Sequence, residues 1–376
     1  TNHYLAAADA VVGFKDYPEI EAIVRELAEG AVMKPRGADE GVPVTIGDRR
    51  FKGLAAKAES FSASYNEFLA APRLRVGLPH VAHLKISEGC SNFCKFCSIP
   101  YIRGVQVSRP IEDIVTEARQ LVASGARELS LIAQDTTSYG RDIYGDYRLS
   151  ELLKALLAVE GDPWIRLMYA FPRFLTDDML ATLASDPRIC PYIDMPLQHA
   201  SDDILKAMKR GTTQAKTDAL VAAIREKMPD IALRTTLIAG FPGETEAHQE
   251  DVLEWVARSR FERLGCFTYS HEENTSAYAL EDDVPEDVKR QRVEAIMELQ
   301  AGISLELNEQ LVGTEQKVLI DRAEDGVWIG RTQYDSPDVD NEVRIPFRDD
   351  LHLRIGDFVQ ARVTGASEFD LDAEVI

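Results

Sequence analysis

Six times between about residue 80 and residue 312, a short apolar run gives way to an amphipathic stretch, and no other feature restricts the fold of this chain as much. The runs at 83–87, 129–133, 165–169, 192–195, 233–238 and 263–269 read as strands. Helical periodicity follows at 111–124, 149–158, from Thr176, at 202–208 with 214–228, at 246–258, and from Glu286 to about Val312. The Thr176 hydroxyl, followed by Asp177, makes a sound N-cap. Repeated strand–helix units give an α/β domain of parallel strands linked by right-handed crossovers. Periodicity does not decide between a barrel, a partial barrel and an open sheet.

Beyond Gly313 the helical pattern stops. Segments at 316–320, 327–330, 342–345 and 358–363, divided by Asp-Gly, Asp-Asn and Gly-Asp turns, predict about five short strands, enough for a small all-β barrel. Ahead of the α/β region, residues 8–13 read as a strand, and a helix opens at Tyr17-Pro18-Glu19 with Ile20, Ile23, Val24 and Leu27 on one face. The turn-rich run from Gly30 to Pro79 reads as linker or domain edge. The resulting units are 1–78, 79–312 and 313–376, in keeping with 376 residues at about 150 per domain. No stretch approaches the roughly 18 apolar residues of a membrane helix.

Five cysteines, an odd number with no basic-then-apolar leader, argue against a secreted disulfide framework. Cys190 and Cys266 stand alone among apolar neighbours and read as small buried hydrophobes. Cys90, Cys94 and Cys97 crowd into the segment from Glu88 to Pro100. Their spacing would align them on one helix face, but Gly89, Ser91-Asn92 and Pro100 make a poor helix, and the segment directly follows a strand. A loop at the C-terminal end of a parallel strand is where α/β folds place their chemistry. Structural zinc asks for four ligands, usually in two separated pairs, and no second pair is present; the nearest histidine, His83, sits in the strand. Three neighbouring thiolates suit an iron–sulfur cluster, which normally takes four, so one iron would be open to an outside ligand.

At these cysteines, with Phe96 before the last of them, the chain resembles the radical S-adenosylmethionine (SAM) superfamily. The resemblance implies a [4Fe–4S] cluster on Cys90, Cys94 and Cys97, with SAM chelating the open iron through its amino and carboxylate groups. It implies one-electron cleavage of SAM to methionine and a 5′-deoxyadenosyl radical that abstracts hydrogen from an unactivated C–H bond. It also implies a partial (β/α)6 barrel. No acid–base triad is needed, because cluster and cofactor carry the hard step while the protein positions and shields them. The candidate cofactor-binding residues are Phe96, Ile99, Gln134, Gln198, Arg234, Gly240 and Gly243. Arg234 either meets the SAM carboxylate bidentately or closes a salt bridge inside the barrel. Gln134 and Gln198 are hydrogen-bonding groups toward SAM or substrate, or else loop-capping amides. Gly240 and Gly243 allow close backbone approach to the cofactor, or serve a strand-to-helix turn.

The segments Gly104–Pro110 and Gly240–Thr245 are similar to the methylthiotransferase branch of that superfamily. Those at 133–140, 194–200 and 265–270 are more similar to its ribosomal-protein-modifying members than to its tRNA-modifying ones, and 334–340 resembles their version of the small TRAM barrel. This implies methylthiolation of the β-carbon of an aspartate in small-subunit ribosomal protein twelve, in the cytoplasm, with an electron donor such as a flavodoxin. The neighbouring alternative is tRNA methylthiolation. From another class, the chain could be an acidic interaction module whose cysteines hold a structural metal.

Charge bears on the substrate. With 42 Lys and Arg against 63 Asp and Glu, the net charge is −21, which offers no bulk attraction to phosphate backbones, so direct nucleic-acid binding is not expected. From Gly313 onward 7 basic residues face 15 acidic ones, whereas an RNA-gripping barrel should be basic. The acidic barrel suits a basic protein partner, with Asp335, Asp338 and Asp340 as candidate docking carboxylates; the plainer reading is a solvated acidic face. Family members also carry an N-terminal domain with three further cysteines for a second cluster, whereas residues 1–78 contain none and resemble only its tail. Together with the missing initiator Met, this leads us to expect a truncated chain that holds one cluster and cleaves SAM but does not insert sulfur alone.

Overall fold

The computed structural model describes residues 77–376. The strand expected at 8–13 and the helix opening at Tyr17 lie outside them. The chain enters through β1 (Val81–Lys85), then pairs two short strands, β2 (Ser87–Glu88) and β3 (Val107–Ser108), antiparallel at the base of a long loop. That loop carries α1 (Ile99–Arg103), which the periodicity did not announce. After α2 (Ile111–Ala123) come β4 (Glu128–Ile132), α3 (Arg141–Tyr144), α4 (Leu149–Leu157) and β5 (Trp164–Leu167). Next are α5 (Asp177–Leu183), β6 (Ile189–Asp194), α6 (Asp202–Ala207), α7 (Gln214–Lys227) and β7 (Ala232–Ala239). The unit closes with α8 (Glu246–Ser259), β8 (Arg263–Thr268) and the long α9 (Glu286–Glu309).

The sheet order is β1-β4-β5-β6-β7-β8 with every pair parallel. Spatial order that follows chain order, with no reversal, is the arrangement of a partial (β/α)6 barrel and not of a doubly wound sheet. Alternation along the strands explains its two faces. Leu129, Leu131, Ile165, Leu167, Ile193, Leu233 and Leu237 share one core with the apolar stripes of the helices, including Ile114, Leu152, Leu180, Val252 and Ile296. Each such side chain stabilises the fold by about 1.5–3 kcal/mol. Thr176 caps α5 as expected, accepting from Met179 N at 3.2 Å. Cys190 and Cys266 are both buried in apolar clusters, as free cysteines usually are.

The intervening positions, Glu128, Arg166, Tyr192 and Arg234 among them, face a second unit. It consists of β9 (Glu315–Glu324), β10 (Val327–Thr332), β11 (Glu342–Pro346), β12 (Phe358–Ala366) and β13 (Asp370–Val375), closed in the order β10-β11-β13-β12-β9. A bulge at Ile329/Gly330 bends β10 across β9. Any side chain at Gly330 would press its Cβ to 2.5 Å from the Leu319 carbonyl oxygen.

This barrel seats against the sheet near the strands' N-terminal ends through buried charges. Glu128 is bracketed by Arg331 of β10 and by Arg166, whose Nε donates to it at 2.8 Å. Burial works to raise the Glu128 pKa, but Arg166 and Arg331 prevail and hold it down at about 2. Arg331 also reaches Asp321 at 3.0 Å, and His80 Nε2 lies 2.6 Å from that carboxylate. Arg263 donates to Asp335 at 2.8 and 2.6 Å. Asp340 accepts from Tyr192 Oη at 2.7 Å and Arg234 Nε at 3.2 Å. Trp164 meets Phe358 edge-on at 4.8 Å.

Two expectations are corrected here. Asp335 and Asp340 do not form an outer docking face; their carboxylates turn inward because the sheet presents Arg263 and Arg234 to receive them. Asp338 alone of the three is exposed. Setting aside the buried Asp321, Asp335, Asp340 and Arg331, the segment from Gly313 still has twelve acids against six bases.

Candidate active site

At the opposite, C-terminal end of the strands, the β2–β3 ribbon clasps the three-cysteine loop at its base. Cys90 N donates to the Gly104 carbonyl at 3.1 Å. Gly89 sits at φ 77, and a Cβ there would lie 2.3 Å from the Val105 carbonyl oxygen, so only glycine closes the clasp. The loop is pinned at its middle as well: Lys95 N donates to Met208 O at 3.0 Å, and Ala277 N donates to Lys95 O at 2.8 Å. Phe96 packs on Ile204, Met208, Phe241, Tyr269 and Ala277, and Ile99 begins α1.

Each of two thiols meets its own donor. Asn92 Nδ2 lies 3.5 Å from Cys90 Sγ and donates at 2.8 Å to Asp135. Asp135 is itself fixed by the Thr137 backbone and hydroxyl at 3.0 and 2.6 Å. Cys94 is buried and receives Arg210 Nη1 at 3.3 Å. Burial pushes the Cys90 thiol up to about 12, with Asp135 and the neighbouring cysteines adding to the shift, and burial also raises Cys97. These thiols ionise readily only with a cationic group bound. Among the described residues, no three Cys, His, Asp or Glu side chains converge on a single metal-ion position. Thiols spread along a loop yet near enough to repel one another fit a cluster in which each sulfur takes its own iron.

Beside the loop lie the strand-end glutamines. The Oε1 atoms of Gln134 and Gln198 are buried and accept no hydrogen bond from the described residues. Gln198 sits at φ 77, held on both sides by hydrogen bonds of 2.8 Å, from its own N to Thr236 O and from Ile238 N to its carbonyl. Tyr169, just past β5, sits at φ 58. Left-handed backbone at bulky residues costs roughly 1–3 kcal/mol and clusters at functional sites.

Residues 84–256 match the Radical SAM superfamily, and residues 312–376 match the TRAM domain. Over 329 residues the chain is 52% identical to the ribosomal protein uS12 methylthiotransferase RimO of Christiangramia forsetii, an overlap covering 88% of this chain and 72% of that protein. With RimO of Chlorobaculum tepidum the identity is 49% over 365 residues, 96% of this chain and 83% of its relative. The chain belongs to the RimO family. It is thus a radical SAM methylthiotransferase, and the superfamily implies a [4Fe–4S] cluster and SAM.

Within this RimO-family site, three residues of the expected cofactor set have partners in the chain itself. Arg234 is committed to Asp194 at 3.0 Å and to Asp340, so the salt-bridge reading of that residue prevails. Gly240, at φ 83, is needed because a Cβ would collide with the Lys289 side chain at 2.2 Å; the close approach is from α9. Gly243, at φ 85, turns the chain and donates its N–H to Asp283 at 2.8 Å. This turn positions Glu244, which accepts from Gly240 N at 2.7 Å and Arg292 Nη1 at 3.0 Å and lies 3.6 Å from His199. Sequence reasoning missed Asn92, Asp135 and Arg210 as neighbours of the thiols. The segment containing Asp135 carried family resemblance, but nothing local marks Arg210 as buried.

Proposed function

We propose that this chain binds one [4Fe–4S] cluster through Cys90, Cys94 and Cys97 and methylthiolates the β-carbon of an aspartate in ribosomal protein uS12. The observation that carries this reading is the clasped three-thiol loop at the strand ends of a chain about half identical to RimO proteins over most of its length. Of the five cysteines, two are committed to apolar cores, which leaves three for one cluster. When bound, the cluster and SAM supply the one-electron cleavage that generates the hydrogen-abstracting radical. The chain's own residues then have defined tasks. Gly89 and the β2–β3 ribbon fix the loop, Phe96 wedges it against Phe241 and Tyr269, and Ile99 borders it. Gln134 and Gln198 offer free carbonyl oxygens toward SAM or the substrate.

We divide the described chain at 79–312 and 313–376; the change from helix α9 to strand β9 supports that reading. The outward acids of the C-terminal barrel, Asp338 included, suit a strongly basic ribosomal protein and disfavour RNA. We assign the reaction to the cytoplasm and its electrons to a flavodoxin-type donor. No helix among the described residues is long and apolar enough to cross a membrane. Anaerobic reconstitution tests the proposal. The expected results are about four irons per chain, the content of one such cluster, and SAM cleavage that disappears when any of the three cysteines becomes alanine. Given a sulfur source, the chain should add one methylthio group to uS12 and none to tRNA. Persistent cleavage in Cys94→Ala, or tRNA as the modified product, refutes it.

A further inference from the structure

We propose that Arg210 is a positioning residue for the reduction step: its guanidinium sets the potential of the cluster by stabilising the form that carries the extra electron. The inference rests on the cluster reading given above. Arg210 is buried at 5% exposure. Other buried arginines each meet a carboxylate: Arg109 with Glu117, Arg166 and Arg331 with Glu128, Arg263 with Asp335, Arg292 with Glu244. Arg210 does not; among the described residues no carboxylate lies within ion-pair distance of it. Its Nη1 instead points at Cys94 Sγ, 3.3 Å away, and its Nη2 donates to the Pro196 carbonyl. The guanidinium lies over the Phe171 ring at 4.3 Å, and Nε is buried without a partner among the described residues.

A buried, unneutralised guanidinium is expensive unless an anion is supplied to it. The group it faces is the sulfur of a cluster ligand. An N–H donated to a ligating sulfur, together with a fixed positive charge, favours whichever cluster state is more negative and so raises its potential. The step is a one-electron transfer from an external low-potential reductant into the cluster; no bond forms or breaks and no proton moves. Cys90 differs in kind, since it faces the neutral amide of Asn92, which itself leans on the negative charge of Asp135. The cationic influence therefore enters by a hydrogen bond at Cys94, with the same charge also felt at Cys97 and not at Cys90.

The test is an electron-paramagnetic-resonance redox titration of the reconstituted full chain with titanium(III) citrate, alongside Arg210→Gln and Arg210→Lys, with iron content measured on each. Arg210→Gln should shift the reduction equilibrium at least tenfold toward the oxidised cluster, a fall of 59 mV for one electron. Arg210→Lys, which keeps a charge but cannot serve both Cys94 and Pro196, should fall by a smaller amount, near threefold. If Arg210→Gln loads no iron, Arg210→Lys decides alone: a near-threefold fall supports the proposal and a wild-type potential overturns it. Full iron with a wild-type potential overturns the proposal, and a loss of SAM affinity at unchanged potential does so by assigning Arg210 to the cofactor. A wild-type chain that assembles no four-iron cluster defeats the underlying reading itself.

Discussion

The two ends of the α/β sheet treat buried polar groups in opposite ways. Where the strands begin, Glu128, Arg166, Arg331, Asp321, Arg263, Asp335 and Asp340 are shut away and Arg234 is half-buried, and each meets an opposite charge. Where the strands end, Arg210 has a sulfur in place of a carboxylate, and the side-chain Oε1 atoms of Gln134 and Gln198 accept nothing from the described residues. Backbone strain at Phe93, Tyr169 and Gln198 lies at this end too. Groups satisfied within the chain have already spent their interactions on folding. Groups left wanting keep theirs for something that binds.

The sharpest way to break this contrast is at Glu128. Glu128→Gln leaves Arg166 buried without a counter-charge and Arg331 with Asp321 alone, and should cost about 3–5 kcal/mol in denaturant titration; a loss under about 1 kcal/mol would mean the seat between the barrels is held by apolar contact instead. Gly89→Ala comes next. The strained φ and the contact with Val105 should cost about 2–3 kcal/mol, and iron loading should drop with stability because the clasp sets the loop; normal loading would separate the two.

Acid probes Glu128 without mutation. Its folded pKa, about 2, lies below the ordinary 4.5, so its contribution is complete above pH 4.5 and is lost as pH falls from there toward 2. In Glu128→Gln that part of the pH profile should flatten. Last, Gln134→Ala should change stability by less than about 0.5 kcal/mol, since its Oε1 has no partner to lose, while SAM or substrate affinity falls about fivefold, the worth of one hydrogen bond. The reverse pattern, stability lost and affinity kept, would return Gln134 to the loop-capping role.

How much of this was legible in the sequence follows from the range of each interaction. The six strand–helix units and four of the small barrel's five strands declare themselves through local periodicity, and their bounds moved by only a few residues; the last strand, Asp370–Val375, was expected in number but not located. The three cysteines declare themselves through spacing. The partners of Glu128 do not, because Arg331 stands 203 positions away and no local pattern links them. The acidity of the Asp335–Asp340 loop was plain, but its direction depended on arginines in strands far earlier in the chain. Arg234 illustrates the same limit: its place on the fifth strand was readable, and the choice between cofactor and salt bridge awaited Asp340. Arg210 lies between α6 and Gly211 as an ordinary basic residue, and only the folded loop shows what it touches.

The wedging of Arg331 between Glu128 and Asp321 has a mechanical consequence. The small barrel cannot swivel without stripping a guanidinium bare, so it behaves as a jig more than as a tethered arm. If the proposed docking on its outer acids holds, the substrate is offered to the thiol loop at one reach and one bearing. The spacing along the substrate between docked segment and reacting side chain would then be part of the recognition code.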